Sequence, residues 1–170
     1  MDIVEMRADH LPALLDLVNA LGMYPINTPV ALRMNTIEDD TSPADLRLLG
    51  VEGGKVIACC LACVRTIRGM EGEVGVVKLF GVHPDHRRRG LATALFDEIE
   101  RRFGERGLAT WAVEGVGPHW FFAGVELTCT PAISFLMHRG YQTDRTTRVD
   151  MKVDLATADL DTAAQEAALL

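Results

Sequence analysis

A chain of 170 residues, 48% apolar and 24% charged, has the size and composition of one domain with a sizeable core. No apolar run is long enough to span a bilayer, and the opening Met1-Asp2-Ile3-Val4-Glu5 lacks the basic and apolar regions of a secretory signal, so a cytoplasmic protein with no membrane partner is expected. The formal net charge of −7 argues against a general nucleic-acid binder, which needs a broad basic surface, and suits a soluble enzyme that attracts cationic substrates such as amines.

A first strand is expected around residues 3–6. Asp9 reads as the cap of a helix whose apolar stripe is Leu11, Leu14, Leu15, Val18 and Leu21, stopped by Gly22. Thr28-Pro29 has the form of a cap and first position for a second helix running towards Glu38, followed by a polar connection over residues 39–44. Strands near residues 45–52 and 56–65 are joined by Gly53-Gly54, a hairpin signal. A fourth strand covers residues 73–82, with Gly81 where a bulge would be tolerated.

The next stretch, Val82-His83-Pro84-Asp85-His86-Arg87-Arg88-Arg89-Gly90-Leu91-Ala92-Thr93, is the most informative. An apolar strand ends at a proline, three arginines and a glycine form a turn, and an amphipathic helix begins at once. Ala92, Leu95, Phe96, Ile99 and Phe103 form its buried stripe, Asp97 with Arg101 and Glu98 with Arg102 form acid-before-base pairs on its surface, and Gly104 reads as its stop. Free N–H groups and the positive end of a helix dipole beside cationic side chains suit a phosphate or pyrophosphate.

A fifth strand is read at residues 108–114, then an aromatic loop, Pro118-His119-Trp120-Phe121-Phe122. A helix capped by Thr130-Pro131 runs to Arg139 and stops at Gly140, and strands near residues 141–143 and 147–155 close the domain. The domain is thus placed at residues 1–155. Residues 156–170 read as a tail, a short helix or a mobile segment.

The core Arg87-x-x-Gly90-x-Ala92 resembles the pyrophosphate signature Gln/Arg-x-x-Gly-x-Gly/Ala of the GNAT superfamily of acyl-CoA N-acyltransferases, with Val82-x-Pro84 before it and Leu95 after it. The element order resembles that fold over residues 2–155. The resemblance implies an α/β (α+β) architecture: a mixed central sheet of about seven strands, with strands four and five splayed and about four helices flanking it. It implies acetyl-CoA or another acyl-CoA as donor, with Phe80, Gly81 and Val82 beside the pantetheine arm. Arg87, Arg88, Arg89, Gly90, Leu91, Ala92 and Thr93 would hold the pyrophosphate, mostly through backbone N–H groups.

The acceptor implied is a primary amine of a small molecule or protein, which must lose a proton to attack. Glu114, at the end of strand five, is the candidate base, against a plain solvated carboxylate; Glu73 is the next candidate. Lys78, mid-strand, either orients an acceptor carboxylate or pairs with Glu73 or Glu114. The family's second signature, Asn-x-x-Ala-x-x-x-Tyr-x-x-x-Gly-Phe, is met only at Ala132, Gly140 and Tyr141; Cys129 replaces the Asn, and Leu136 replaces the Tyr that protonates the departing thiolate. That departure keeps open an acyl-CoA-binding regulatory module on the same fold.

Other chemistries find no support in the chain. Gly54-Lys55 lacks the leading glycine and the Ser/Thr of a nucleotide phosphate loop, since Leu49 and Val56 stand there. Cys59, Cys60, Cys63 and Cys129 read as small hydrophobes, and neither they nor His83, His86 and His138 have metal-ligand spacing, so no metal is expected. His119 with Trp120, Phe121 and Phe122 reads as either an acceptor-pocket wall or interface, or a loop anchored on the core. Acceptor identity and a homodimer are left open.

Overall fold

The computed structural model describes residues 1–22, 28–67, 69–115, 121 and 124–143. Five strands, β1 (Asp2–Glu5), β2 (Arg47–Glu52), β3 (Lys55–Thr66), β4 (Glu73–Val82) and β5 (Trp111–Val113), lie side by side in sequence order. Neighbours from β1 to β4 are antiparallel; β5 runs parallel to β4. The β2–β3 hairpin pairs Glu52 with Lys55 across Gly53-Gly54, whose φ angles of 57° and 77° are what a tight two-residue turn demands.

Among the described residues four α-helices flank the sheet: α1 (Leu11–Ala20), α2 (Pro29–Met34), α3 (Leu91–Glu105) and α4 (Thr130–His138). Phe96, Ile99 and Phe103 of α3 and Leu136 of α4 bury one sheet face with Leu48, Cys60, Ala62 and Val77. Leu14, Leu17 and Val18 of α1 and Leu32 of α2 bury the other, with Leu49, Cys59, Leu61 and Leu79. Because both faces are covered, β3 is apolar almost throughout instead of alternating. No helix among the described residues is long and apolar enough to cross a membrane.

The mixed α/β class and the four helices match the sequence reading, and several details do not. Five strands are present among the described residues rather than about seven. Tyr141–Thr143 is not a strand: the Tyr141 N–H instead caps α4 at the Leu136 carbonyl, 3.1 Å away, and its hydroxyl donates to Glu100 Oε1 at 3.0 Å. The strand read at residues 147–155, the tail 156–170, and Pro118, His119, Trp120 and Phe122 lie outside the described residues.

Asp9 does not cap α1. It sits within a short 3-10 turn, Ala8–His10, where the Arg7 N–H donates to His10 Nδ1 at 3.1 Å. Thr28 does cap α2, accepting from the Ala31 N–H at 3.1 Å, but that helix ends at Met34 rather than Glu38. Asn35 and Thr36 turn their side chains back onto the Ala31 and Leu32 carbonyls, at 2.9 and 2.7 Å, which competes with further helical turns. Helix α3 continues through Gly104 to Glu105, because burial of Phe103 outweighs the small propensity cost of one glycine.

The bulge in β4 falls at Lys78, not Gly81: Leu79 faces Leu61 and Val77 faces Ala62, leaving Lys78 as the extra residue. Gly81 instead marks a close approach, since a Cβ there would lie 2.4 Å from the tip of the Leu21 side chain at the end of α1. The bulge puts Lys78 and Leu79 on the same, α1-covered face.

Candidate active site

Strand β5 stays with β4 only briefly, through Gly75–Trp111, Val76–Ala112 and Val77–Val113. Beyond Val77, β4 continues to Val82 with β3 on one side and no strand on the other among the described residues. From the level of Lys78 onward the β5 side of β4 is therefore an edge among the described residues, a wall formed by the backbone of Phe80, Gly81 and Val82. An extended chain with amide groups could pair with that edge as a further strand would.

At the far end of this wall the chain turns. The His83 N–H makes the last tie to β3, at the Ile57 carbonyl 2.8 Å away, and a 3-10 turn, Pro84–His86, follows. Arg88 (φ 62°) is the only non-glycine residue among those described with positive φ, and Gly90 (φ 76°) is left-handed too. Gly90 is the N-cap of α3, with no side chain capping the helix. The first intrahelical bond is from the Ala94 N–H to the Gly90 carbonyl, 3.0 Å, so the N–H groups of Leu91, Ala92 and Thr93 have no partner within the helix. A Cβ on Gly90 would meet nothing within 4 Å, so the space before the helix is open. These are the features of an anion cradle at a helix terminus.

The three arginines differ. Arg87 Nε donates back to the Val82 carbonyl at 3.2 Å. Arg88 extends into solvent without an ion-pair partner among the described residues. Arg89 forms a two-point ion pair with Glu52 at 2.7 and 3.1 Å. His86 lies beside that pair, and His83 caps the 3-10 turn through the Asp85 N–H.

Glu114 follows the last residue of β5, where the described pairing with β4 ends, level with the bulge. It is half-buried, and its carboxylate has no hydrogen-bond or ion-pair partner among the described residues. Glu73 is at the other end of β4, about 17 Å from Lys78 at the rise of an extended strand, and exposed.

Lys78 pairs with neither carboxylate. Its ammonium is fully buried, 2.5 Å from Asp39 Oδ2 and 2.7 Å from the Asn35 carbonyl. Arg65 of β3 reaches the same Asp39 oxygen at 2.8 Å, and the Thr41 hydroxyl and N–H bond the other oxygen at 2.6 and 3.0 Å. Burial pushes the Asp39 carboxyl up, but the Lys78 and Thr41 hydrogen bonds and the Lys78 charge outweigh it and hold the group below its ordinary value. Burial draws the Lys78 ammonium down, with Asp39 opposing. Asp39 was missed in the sequence as part of a polar connection. The available signal was Lys78 itself, since a lysine inside an apolar strand needs a buried partner.

Leu136 packs in the α3-side core at 7% exposure, so the position of the family's tyrosine is filled by a core residue. Leu136→Tyr is therefore expected to overpack this core, costing about 1–3 kcal/mol in a thermal melt, rather than to supply a proton donor. Cys59, Cys60 and Cys63 are buried free thiols; burial raises Cys59 to about 12 and lifts the other two, so all three stay protonated near neutral pH. No group of three or more metal-ligating side chains occurs among the described residues.

A family model described as the acetyltransferase (GNAT) family matches residues 12–119. The chain belongs to the GNAT acetyltransferase family. Among curated relatives of this GNAT chain, an acetyltransferase of Sodalis glossinidius is 35% identical over 63 residues, 37% of this chain and 40% of that protein. An acetyltransferase of Pectobacterium atrosepticum is 29% identical over 108 residues, 63% and 70% of the two chains. The Sodalis match thus spans well under half of its relative's length.

Solved structures show the same fold. The aminoglycoside 6′-N-acetyltransferase of Acinetobacter haemolyticus superposes with a TM-score of 0.67 at 21% identity, over 91% of this chain and all of that one. A ribosomal-protein-alanine N-acetyltransferase of Brucella melitensis gives 0.66 at 16% identity, covering 89% of this chain and 100% of its own. An aminoglycoside acetyltransferase in complex with a bisubstrate analogue built on CoA gives 0.66 at 17% identity, covering 90% and 98%.

Proposed function

We propose that this GNAT chain transfers an acyl group, acetyl by default, from CoA to a primary amine of a small molecule or a protein by direct nucleophilic attack. The observation that carries the reading is a stretch of β4 edge with no partner strand on its β5 side among the described residues, followed directly by a helix terminus that no side chain caps. The cradle fits a diphosphate: it is open at Gly90, offers backbone N–H groups, and carries the arginine-rich turn. The same-fold complex with a CoA-based analogue supports CoA as the donor type.

In this reading Phe80, Gly81 and Val82 pair their backbone with the pantetheine arm, and the turn at residues 87–93 holds the pyrophosphate. The bound donor supplies an activated thioester carbonyl. Glu114 takes a proton from the incoming ammonium, directly or through one water, and the free amine attacks that carbonyl. As the new C–N bond forms the C–S bond breaks, and the second amine proton passes to the departing thiolate sulfur, directly or through solvent, so that no tyrosine acid is required. Residues 1–155 are the catalytic domain of this proposal, and the buried free thiols suit a reducing cytoplasm.

The test is release of free CoA thiol against a panel of amines, polyamines, amino acids and lysine peptides, beside calorimetry of CoA binding. Release with any acceptor supports the transferase. Leu136 in the core favours the second reading, a regulatory module that binds acyl-CoA without turnover. Tight binding with no release over the whole panel would select it. Gly90→Trp is expected to fill the cradle and abolish CoA binding, and Arg88→Ala to weaken it less. Unchanged CoA affinity in Gly90→Trp would move the donor site elsewhere.

A further inference from the structure

The arginine beside the cradle glycine is already committed to another partner. Arg89 Nη2 and Nη1 donate to the two different oxygens of the Glu52 carboxylate, at 2.7 and 3.1 Å, so the guanidinium fork that would grip a phosphate is occupied. Glu52 is the last residue of β2, on the hairpin and not on the turn. The Arg89 hydrogen bond holds its carboxyl below the usual range. His86 closes the group, with Nδ1 2.9 Å from Arg89 Nη1 and 3.6 Å from Glu52.

The backbone just before Arg89 needs such a hold, whereas glycine adopts positive φ freely. Arg88 and Gly90 are both left-handed, and for Arg88 that conformation is unfavourable unless its surroundings fix it. The bonds made by Arg87, to the Pro84 and Val82 carbonyls, stay within the strand-to-helix connection. The Arg89–Glu52 pair ties the turn sideways to a distant part of the sheet.

We infer that Arg89 is a positioning residue: it acts through Glu52 to hold the phosphate turn in its binding shape, and it is not itself a phosphate ligand. This rests on the acyl-CoA reading above. The two roles differ in sign. If Arg89 braces the turn, losing either partner weakens CoA binding. If Arg89 grips phosphate, losing Glu52 releases it and removes a nearby negative charge, so CoA binds more tightly.

The experiment is calorimetric titration of the full chain with CoA and with dephospho-CoA, on the wild type, Arg89→Ala, Glu52→Ala and the exchanged pair Arg89→Glu/Glu52→Arg, with a melt of each. Both alanine variants are expected to weaken binding by about three- to fivefold, equally for the two ligands. The exchanged pair, which keeps the bridge and the local charge, should return to within about twofold of wild type. Melting temperatures should hardly move, because an exposed pair adds little to global stability. A Glu52→Ala variant that binds more tightly, an exchanged pair as weak as Arg89→Ala, or an Arg89→Ala loss that disappears with dephospho-CoA would each overturn the inference while leaving the donor assignment intact. Failure of the wild type to bind CoA would overturn the acyl-CoA reading, and this inference with it.

Discussion

Asp39→Ala is expected to destabilise the protein by about 3–5 kcal/mol, because it leaves a buried lysine without its counter-charge. In a chain of this size that is a fall of about 6–20 °C in melting temperature. The carboxylate is fully buried, and Lys78 and Arg65 both converge on one of its oxygens. Lys78→Met should cost clearly less, since Arg65 and Thr41 would still satisfy the carboxylate and the methionine would fill much of the vacated volume. Urea or thermal denaturation of the two variants gives the order directly, and equal losses would show that the cluster is not organised around the anion.

The same group sets a pH dependence. Its carboxyl lies below the ordinary 3.8 in the folded state, so its contribution is complete above that value and is lost as pH falls through the lower folded value. Asp39→Asn should therefore flatten part of the acid limb of a stability profile.

Glu114→Gln carries the largest expected effect on activity, a fall in kcat of about 10²–10⁴ with CoA affinity unchanged. The position justifies the assignment: Glu114 stands where β5 leaves β4, half-buried and without a partner among the described residues. Wild-type turnover in Glu114→Gln would return it to an ordinary solvated carboxylate.

The turn and helix at residues 82–103 were legible in the sequence because their determinants are local. Pro84, Gly90 and the stripe Leu95, Phe96, Ile99 and Phe103 act on their immediate neighbours, as do Gly53-Gly54 and Thr28. The Lys78–Asp39–Arg65 cluster was not legible, because its members are brought together by sheet pairing and by a one-residue bulge that leaves no mark in composition. Gly81 illustrates the ambiguity: a glycine in a strand signals either a bulge or a close approach, and only the position of Leu21 decides. Gly104 and Asp9 carried stop and cap signals that packing of Phe103 and the His10 imidazole overrode. Leu136 showed that the usual acid was missing, but not that its place had become core.

The chain between α2 and β2 is gripped by cations from three consecutive strands. Arg47 of β2 donates to the Thr36 and Ser42 carbonyls at 2.9 and 2.6 Å, Arg65 of β3 holds Asp39, and Lys78 of β4 holds Asp39 and the Asn35 carbonyl. This segment behaves as an outlying piece of the sheet rather than as a variable loop. A swap of the first two helices to recruit a different acceptor therefore has a natural seam just before Asn35. A graft cut beyond Asp39 would remove the anion and leave the buried Lys78 without its carboxylate.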